Sequence, residues 1–210
     1  YTCPILPGGC AAVKRMWAFF LALSLMFSLV SFASGEPSDG DVTLLCLNIG
    51  KADCMLLTSG DRHYLIDAGY AHTWPALETA LTQMDINRLD GVFLTHCHKD
   101  HFGGLMSLAD SDIAVDAWYA PSIYYDTGKK GHPAVLAAAS RGQDVTWLSS
   151  GETLDAGGGA SFTVLGPVSV HEDNENNNSL VMLFSSPQGN ILLLLLLQLA
   201  IATLKLYFIT

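Results

Sequence analysis

The segment that most constrains the fold of this chain is Thr95–His101, which reads T-H-C-H-K-D-H. Within six residues it holds four side chains able to bind a metal ion: His96, His98, Asp100 and His101. Packing rarely explains such a cluster, because buried imidazoles and carboxylates are costly without partners. We therefore interpret the segment as a metal-binding motif, in preference to a polar loop with chance histidines or a helix cap at Asp100.

The flanking residues place this motif between a strand and a helix. The apolar run Gly91–Thr95 predicts a buried strand, and the run Gly103–Leu108 can begin a helix. Residues two apart in extended backbone point the same way, so we expect His96 and His98 to face one ion. The other two ligands follow where the chain turns and are expected to face a second position close by.

The mixture of imidazole and carboxylate ligands suits zinc first, with manganese, iron or nickel as alternatives. A pair of zinc ions would lower the pKa of a bound water from about 15.7 to roughly 7 and so supply a metal-bound hydroxide. The motif thus predicts a metal-dependent hydrolase. Asp100 is assigned a catalytic role, because it would bind the second metal and help to orient that nucleophile.

Three further runs extend the pattern on both sides of the motif: Leu45–Leu57, His63–Gly69 and Asn176–Val181. With Thr95–His101, they resemble the metallo-β-lactamase superfamily over about residues 42–196. Within that superfamily they look most similar to the hydrolase domain of DNA-internalisation competence proteins of the ComEC type.

The resemblance implies an α/β fold, the αββα sandwich of that superfamily, incomplete here at the C-terminus. It implies that His96 and His98 hold the first metal and that Asp100 and His101 hold the second. Asp67 would orient ligands from behind, as metal sites generally require. Asn178 is a candidate for lining the site, because an asparagine of the ComEC-type domains stands near the third histidine of other members.

Three residues near these motifs are interpreted as having no metal role. His132 and His171 could complete the site, but each is interpreted as an ordinary loop residue. Cys97 lies between the first two ligands, where strand alternation turns it away from the metal, and is interpreted as a small buried filler. No CxxC pair exists, so neither a disulfide framework nor a thiolate zinc site is indicated.

Charge bears on the partners. The chain carries a formal net charge of -10, and all 20 acidic residues follow Ala33. No basic stripe is visible, which disfavours nucleic acid as a partner, although a nuclease can cut through metal-held phosphate contacts. The expected substrate is a small molecule or a phosphodiester, and a membrane is expected as partner only through the terminal apolar segments.

The chain is divided into a leader with signal peptide (1–33), a linker (34–41), the hydrolase domain (42–196) and an apolar tail (197–210). Lys14 and Arg15 precede an apolar run, and Ser31-Phe32-Ala33 resembles a signal peptidase site. The sequence thus predicts a secreted or extracytoplasmic protein, with an uncleaved membrane anchor as the alternative.

The resemblance weakens at the C-terminus. No Asp or Glu follows Glu175 and no His follows His171, so the bridging aspartate and last histidine of the family have no counterpart. We expect a truncated or frame-shifted end, the alternative being a membrane span over residues 191–209, which are long enough. The competing functions are therefore a metallo-hydrolase, a competence-associated nuclease, and a truncated non-catalytic metal-binding fragment.

Periodicity predicts the remaining elements. Thr73 is expected to cap a helix with Leu77, Ala80, Leu81 and Met84 on one apolar face, and Gly157–Gly159 is expected to be a turn. A second helix is predicted over Pro133–Arg141. Strands are predicted over 41–47, 54–58, 63–67, 144–148, 161–165, 179–184 and 191–197, with a hairpin turn at 59–62.

Overall fold

The computed structural model describes residues 41–124, 131–171 and 174–194. The predicted leader, signal peptide and apolar tail lie outside these residues, and so does nearly all of the predicted linker. Among the helices of the described ranges, none combines the length and the apolar character needed to cross a membrane.

In the described residues, twelve strands form two main sheets and one two-stranded sheet. The strands are β1 (Val42–Cys46), β2 (Met55–Ser59), β3 (Arg62–Ile66), β4 (Arg88–Leu89), β5 (Gly91–Phe93), β6 (Ala114–Val115), β7 (Trp118–Pro121), β8 (Val145–Leu148), β9 (Thr153–Gly157), β10 (Ala160–Gly166), β11 (Val181–Ser186) and β12 (Gly189–Leu193).

The six-stranded sheet has the order β1-β2-β3-β5-β7-β8. Its first three strands are antiparallel, and β3, β5, β7 and β8 are parallel. The predicted hairpin is confirmed, since Ser59 pairs with Arg62 across the turn. The parallel strands end at the same edge of the sheet, which brings the residues after β3 and β5 close together.

The described part of the chain contains four α-helices: α1 (Trp74–Gln83), α2 (Lys99–Phe102), α3 (Leu105–Asp110) and α4 (Pro133–Ser140). Buried residues of α1, α3 and α4 share one core with one face of the six-stranded sheet. Leu77 and Leu81 are buried as predicted, whereas Met84 is exposed. Thr73 takes the predicted N-cap position of α1, but its hydroxyl donates to the Tyr70 carbonyl, and its oxygen accepts no hydrogen bond from a helix N–H.

The four-stranded sheet, β12-β11-β10-β9, covers the other face of the six-stranded sheet. The described residues thus form helix, sheet and sheet layers, which agrees with the predicted sandwich. The Gly157–Gly159 turn is confirmed between β9 and β10, and all three glycines have positive φ. The sequence did not predict β4, β6, β7 and β9, which are short or irregularly patterned.

An aromatic cluster holds the two sheets together. The Phe162 ring of β10 lies with its centroid 4.9 Å from those of Tyr64 and Phe93 in the opposite sheet, and 5.1 Å from that of Phe184. Phe162 is only 1% exposed. Its ring therefore fills the interface that holds β3 and β5 in place. Asp67 follows β3, and the metal-binding motif follows β5.

We expect Phe162→Ala to lower the free energy of unfolding by about 3–5 kcal/mol, because it removes a buried ring and leaves a cavity. Urea unfolding followed by circular dichroism measures the change. Leu165→Ala, at a 44% exposed position of the same strand, serves as control and should cost less than about 1 kcal/mol. Equal losses in the two variants would contradict the packing described for Phe162.

Candidate metal centre

Asp67 lies at the base of the site, directly after β3. Its fully buried carboxylate accepts hydrogen bonds from the Thr95 backbone N–H (2.8 Å), the Thr95 hydroxyl (2.8 Å) and the His101 Nδ1–H (2.7 Å). Its φ of 56° lies in the left-handed region, which aspartate tolerates better than most residues. These contacts are the ones that the ligand-orienting prediction for Asp67 requires.

Asp100 and His101 lie in the first turn of α2, which begins at Lys99. The helix predicted to begin within Gly103–Leu108 is confirmed by α3, whereas the short α2 before it was not predicted. Gly103 and Gly104 connect the two helices and allow the backbone to approach closely. A Cβ at Gly103 would lie 2.4 Å from the Ala71 nitrogen. A Cβ at Gly104 would lie 2.3 Å from the Ala68 oxygen.

His96 is held in one tautomer by two hydroxyl groups. Its Nδ1 lies 3.1 Å from the Thr95 Oγ1 and 3.2 Å from the Ser179 Oγ. Both hydroxyl hydrogens are used elsewhere, since Thr95 donates to Asp67 and Ser179 donates to the Asn176 carbonyl. The Nδ1 of His96 must therefore carry the hydrogen, which leaves a lone pair on Nε2 facing the site.

His98 faces that lone pair. The Nδ1 of His98 lies 3.0 Å from the Nε2 of His96, and the ring centroids are 4.6 Å apart. His101 adjoins the pair, with its ring centroid 4.0 Å from that of His96. The structure thus brings the three histidines of the motif together, although the backbone there is bent and not the extended strand expected from the sequence.

The second part of the site contains an acid that the sequence analysis missed. The Nε2 of His101 lies 3.8 Å from the Asp100 Oδ2 and 3.5 Å from the Asp53 Oδ2. Asp53 stands in the turn between β1 and β2, 47 residues before Asp100. Sequence reasoning interpreted that run as part of a turn, and only the folded chain shows that its carboxylate faces the motif.

These donors fit zinc by chemistry and by spacing. Two ligands of one tetrahedral zinc ion, each about 2.0–2.2 Å from it, lie about 3.4 Å apart. The nitrogen and oxygen separations within each part of the site are close to that distance. Within the described ranges, no three His, Cys, Asp or Glu side chains form a ready-made metal site. His96 and His98 instead bond each other directly.

The protonation of the histidines follows from their surroundings. Burial, with His101 and His98 nearby, lowers the pKa of His96 to about 4, so it is neutral at pH 7, the form that binds metal. Burial also opposes protonation of His101. There the hydrogen bond and charge of Asp67, with Asp53 and Asp100, outweigh burial and raise the pKa.

The remaining sequence candidates lie beside the donors. The Asn178 side chain donates to the His171 carbonyl (2.9 Å) and accepts from the His171 N–H (2.7 Å), so it closes its own loop instead of presenting its amide to the histidines. The neighbouring Ser179 makes the contact with His96. Cys97, expected to be a buried filler, is half-buried, and burial raises the pKa of its thiol to about 12.

His132 lies directly before α4, in the loop where the sequence placed it, but its side chain is buried. It is 3% exposed, and neither ring nitrogen has a hydrogen-bond partner within the described part of the chain. Its ring packs between Tyr124 and Trp147, with centroids 5.1 and 5.2 Å away. Burial lowers the pKa of His132 to about 4, although the charge of Glu175 acts in the opposite direction.

We expect Asp67→Asn to weaken zinc binding about 10- to 100-fold, the range typical of residues that orient ligands. The amide presents its NH₂ either to the His101 Nδ1–H or to the Thr95 N–H, so one donor faces another. Titration of the metal-stripped chain against a chromophoric chelator measures the affinity. Asp61→Asn, at an exposed turn, is the control, and a wild-type affinity in Asp67→Asn would contradict the proposed orientation.

We expect the metal-stripped chain to lose stability as the pH falls from 6.5 through 4. His132 has its pKa lowered from 6.5 to about 4 by folding, so over this range the unfolded chain binds the proton more readily. The loss from this residue reaches up to about 3 kcal/mol. His132→Phe should reduce the pH dependence of urea unfolding, whereas the exposed-site variant His72→Phe should not; identical profiles would refute the assignment.

A family model described as the metallo-beta-lactamase superfamily matches residues 47–177, more than half of the chain. No curated protein matches.

Solved structures share the fold at low sequence identity. A metallo-beta-lactamase with a HARLDQ motif from Cronobacter sakazakii is 16% identical, with a TM-score of 0.50 over 68% of this chain and 55% of that chain. MEM-A1, a subclass B3 metallo-beta-lactamase isolated from a soil metagenome library, is 16% identical, with a TM-score of 0.51. The match covers 70% of this chain and 55% of that chain. The chain therefore spans about half the length of these structures, and by its family match it belongs to the metallo-beta-lactamase superfamily.

Proposed function

We propose that this chain acts as a metal-dependent hydrolase that binds two zinc ions and cleaves an ester, lactone, amide or phosphodiester bond. The observation that carries the proposal is the facing pair of His96 Nε2 and His98 Nδ1, 3.0 Å apart, with the His96 tautomer held by Thr95 and Ser179. Nitrogens arranged in this way have no packing role, but they suit a shared divalent ion.

The motif residues would hold two ions. His96 through Nε2 and His98 through Nδ1 would hold the first, and Asp100 with His101 Nε2 would hold the second. Bound zinc supplies Lewis acidity and lowers the pKa of water to roughly 7. Other divalent metals that accept nitrogen and oxygen ligands remain alternatives to zinc.

The protein groups orient the reactants. Asp100 is 21% exposed, so its carboxylate lies at the open side of the site, where it would accept a hydrogen bond from the attacking water and align it. His101 is hydrogen-bonded to the buried Asp67, which would fix the position of the second ion relative to the first. The Asp67 carboxylate thereby acts on the reaction only through His101 and Thr95.

A phosphodiester substrate is the second candidate, in a competence-associated nuclease. The Asn176–Val181 run on which that resemblance rests lies against the site: Ser179 contacts His96, and the Leu180 N–H donates to the Thr95 carbonyl (3.0 Å). The net charge of -10 weakens the case for a long nucleic acid partner and favours a small substrate. An extracytoplasmic location, suggested by the N-terminal apolar run, is part of this proposal.

The purified chain should bind about two equivalents of zinc and hydrolyse at least one member of a panel of activated substrates. The panel contains a nitrophenyl ester, a lactone, a β-lactam and a bis-nitrophenyl phosphodiester. His96→Ala should lower kcat/KM at least about 100-fold and remove one zinc, since a lost ligand costs more than a lost orienting residue. Hydrolysis rates and metal analysis of the same samples provide the two measurements.

The control is His72→Ala, which removes an exposed histidine that stacks on Tyr70, away from the motif. It should leave both the zinc content and the rate unchanged. Phosphodiester cleavage alone would favour the nuclease candidate. Less than one equivalent of zinc, with no hydrolysis of any substrate, would overturn the enzyme proposal and favour a non-catalytic fragment.

A further inference from the structure

We propose that Asp53 is an additional ligand of the second metal position, alongside Asp100 and His101. This inference rests on the proposed metal-binding function and deepens it, because it assigns to the site a carboxylate from outside the Thr95–His101 motif. The class of ligand is a divalent cation of the zinc type, bound by two carboxylate oxygens and one imidazole nitrogen.

The backbone of Asp53 is anchored to the site at two points. Its N–H donates to the Asp100 carbonyl (3.1 Å), and its carbonyl accepts from the Gly69 N–H (2.9 Å). The turn between β1 and β2 is thus tied both to the first turn of α2 and to the segment after β3. Because these bonds use only backbone atoms, they hold the side chain of residue 53 at the site whatever that side chain is.

The carboxylates of Asp53 and Asp100 converge on one nitrogen. Their Oδ2 atoms lie 3.5 and 3.8 Å from the His101 Nε2, which is longer than a normal hydrogen bond. Such separations match those between neighbouring ligands of one tetrahedral zinc ion, about 3.4 Å. The His101 side chain is 4% exposed, whereas that of Asp53 is 35% exposed, so an ion can enter from the Asp53 side.

The hydrogen bond between His101 and Asp67 decides which nitrogen of the His101 ring faces the two carboxylates. Its Nδ1–H donates to Asp67 at 2.7 Å, so a neutral His101 ring directs the Nε2 lone pair toward the two carboxylates. The two carboxylates favour a positive charge beside that nitrogen, which either a proton on Nε2 or a bound divalent cation would supply. A divalent ion there would satisfy all three atoms with small side-chain rotations.

The decisive experiment is zinc titration of the metal-stripped full chain by calorimetry, comparing Asp53→Asn with Asp100→Asn, His96→Ala and wild type. We expect Asp53→Asn and Asp100→Asn to weaken the same zinc at least about tenfold, and His96→Ala to weaken the other one. Asp112→Asn, the same charge change at an exposed loop position, is the matched control and should leave both zinc ions in place.

A second variant tests the same inference by a new spectroscopic band instead of a loss of zinc affinity. Asp53→Cys places a thiolate-forming side chain at the same backbone position, and cobalt(II) bound there should show a sulfur-to-cobalt charge-transfer band in the near ultraviolet. Wild type and Asp112→Cys should lack this band, because neither has a thiol at position 53. Circular dichroism of each variant confirms that the fold is retained.

The outcomes separate this inference from the proposed function. If wild type binds zinc and Asp53→Asn binds it with the wild-type isotherm, Asp53 only pairs with a protonated His101 and the inference is wrong while the function stands. The absence of the cobalt band in Asp53→Cys would count against it in the same way. If wild type binds no zinc, both the proposed function and this inference are overturned.

Discussion

The carboxylate of Asp67 is the interaction on which the rest of the site depends. It is fully buried and accepts from three donors, which belong to the segment after β5 and to α2. Burying a carboxylate costs free energy unless such donors surround it. Separating the three segments that meet there would therefore leave its oxygens without partners and destabilise the fold. One buried side chain thus holds together the ends of two parallel strands and the first turn of the following helix.

The Asp67 carboxylate also fixes the hydrogen positions on Thr95, His96 and His101. Because Asp67 takes the hydroxyl hydrogen of Thr95, the Thr95 oxygen can only accept from His96. Because it also takes the Nδ1–H of His101, the other nitrogen of that ring faces outward. Hydrogen bonds on the buried side of the site therefore decide the tautomers of these two histidines, whose ring centroids lie 4.0 Å apart.

Much of the fold could be predicted from the sequence because its signals are local. The β2–β3 hairpin, the proline-initiated α4 and the glycine turn before β10 each depend on residues next to one another. The helix predicted after the motif is confirmed as α3, but the four-residue α2 before it is too short to show a periodic pattern and was not predicted. Gly103 and Gly104, between the two helices, let the backbone approach Ala68 and Ala71, which are distant in the sequence.

The sequence by itself indicated a metal-binding motif, because four potential donors at fixed spacing within Thr95–His101 stay close in any compact fold. It also indicated Asp67, through the resemblance of its surroundings to a known family. Only the tertiary structure decided that Asp53 faces His101, that Ser179 fixes the tautomer of His96, and that His132 is buried. These contacts join segments dozens of residues apart, and pairing of strands and packing of layers bring such segments together in ways that no local pattern encodes.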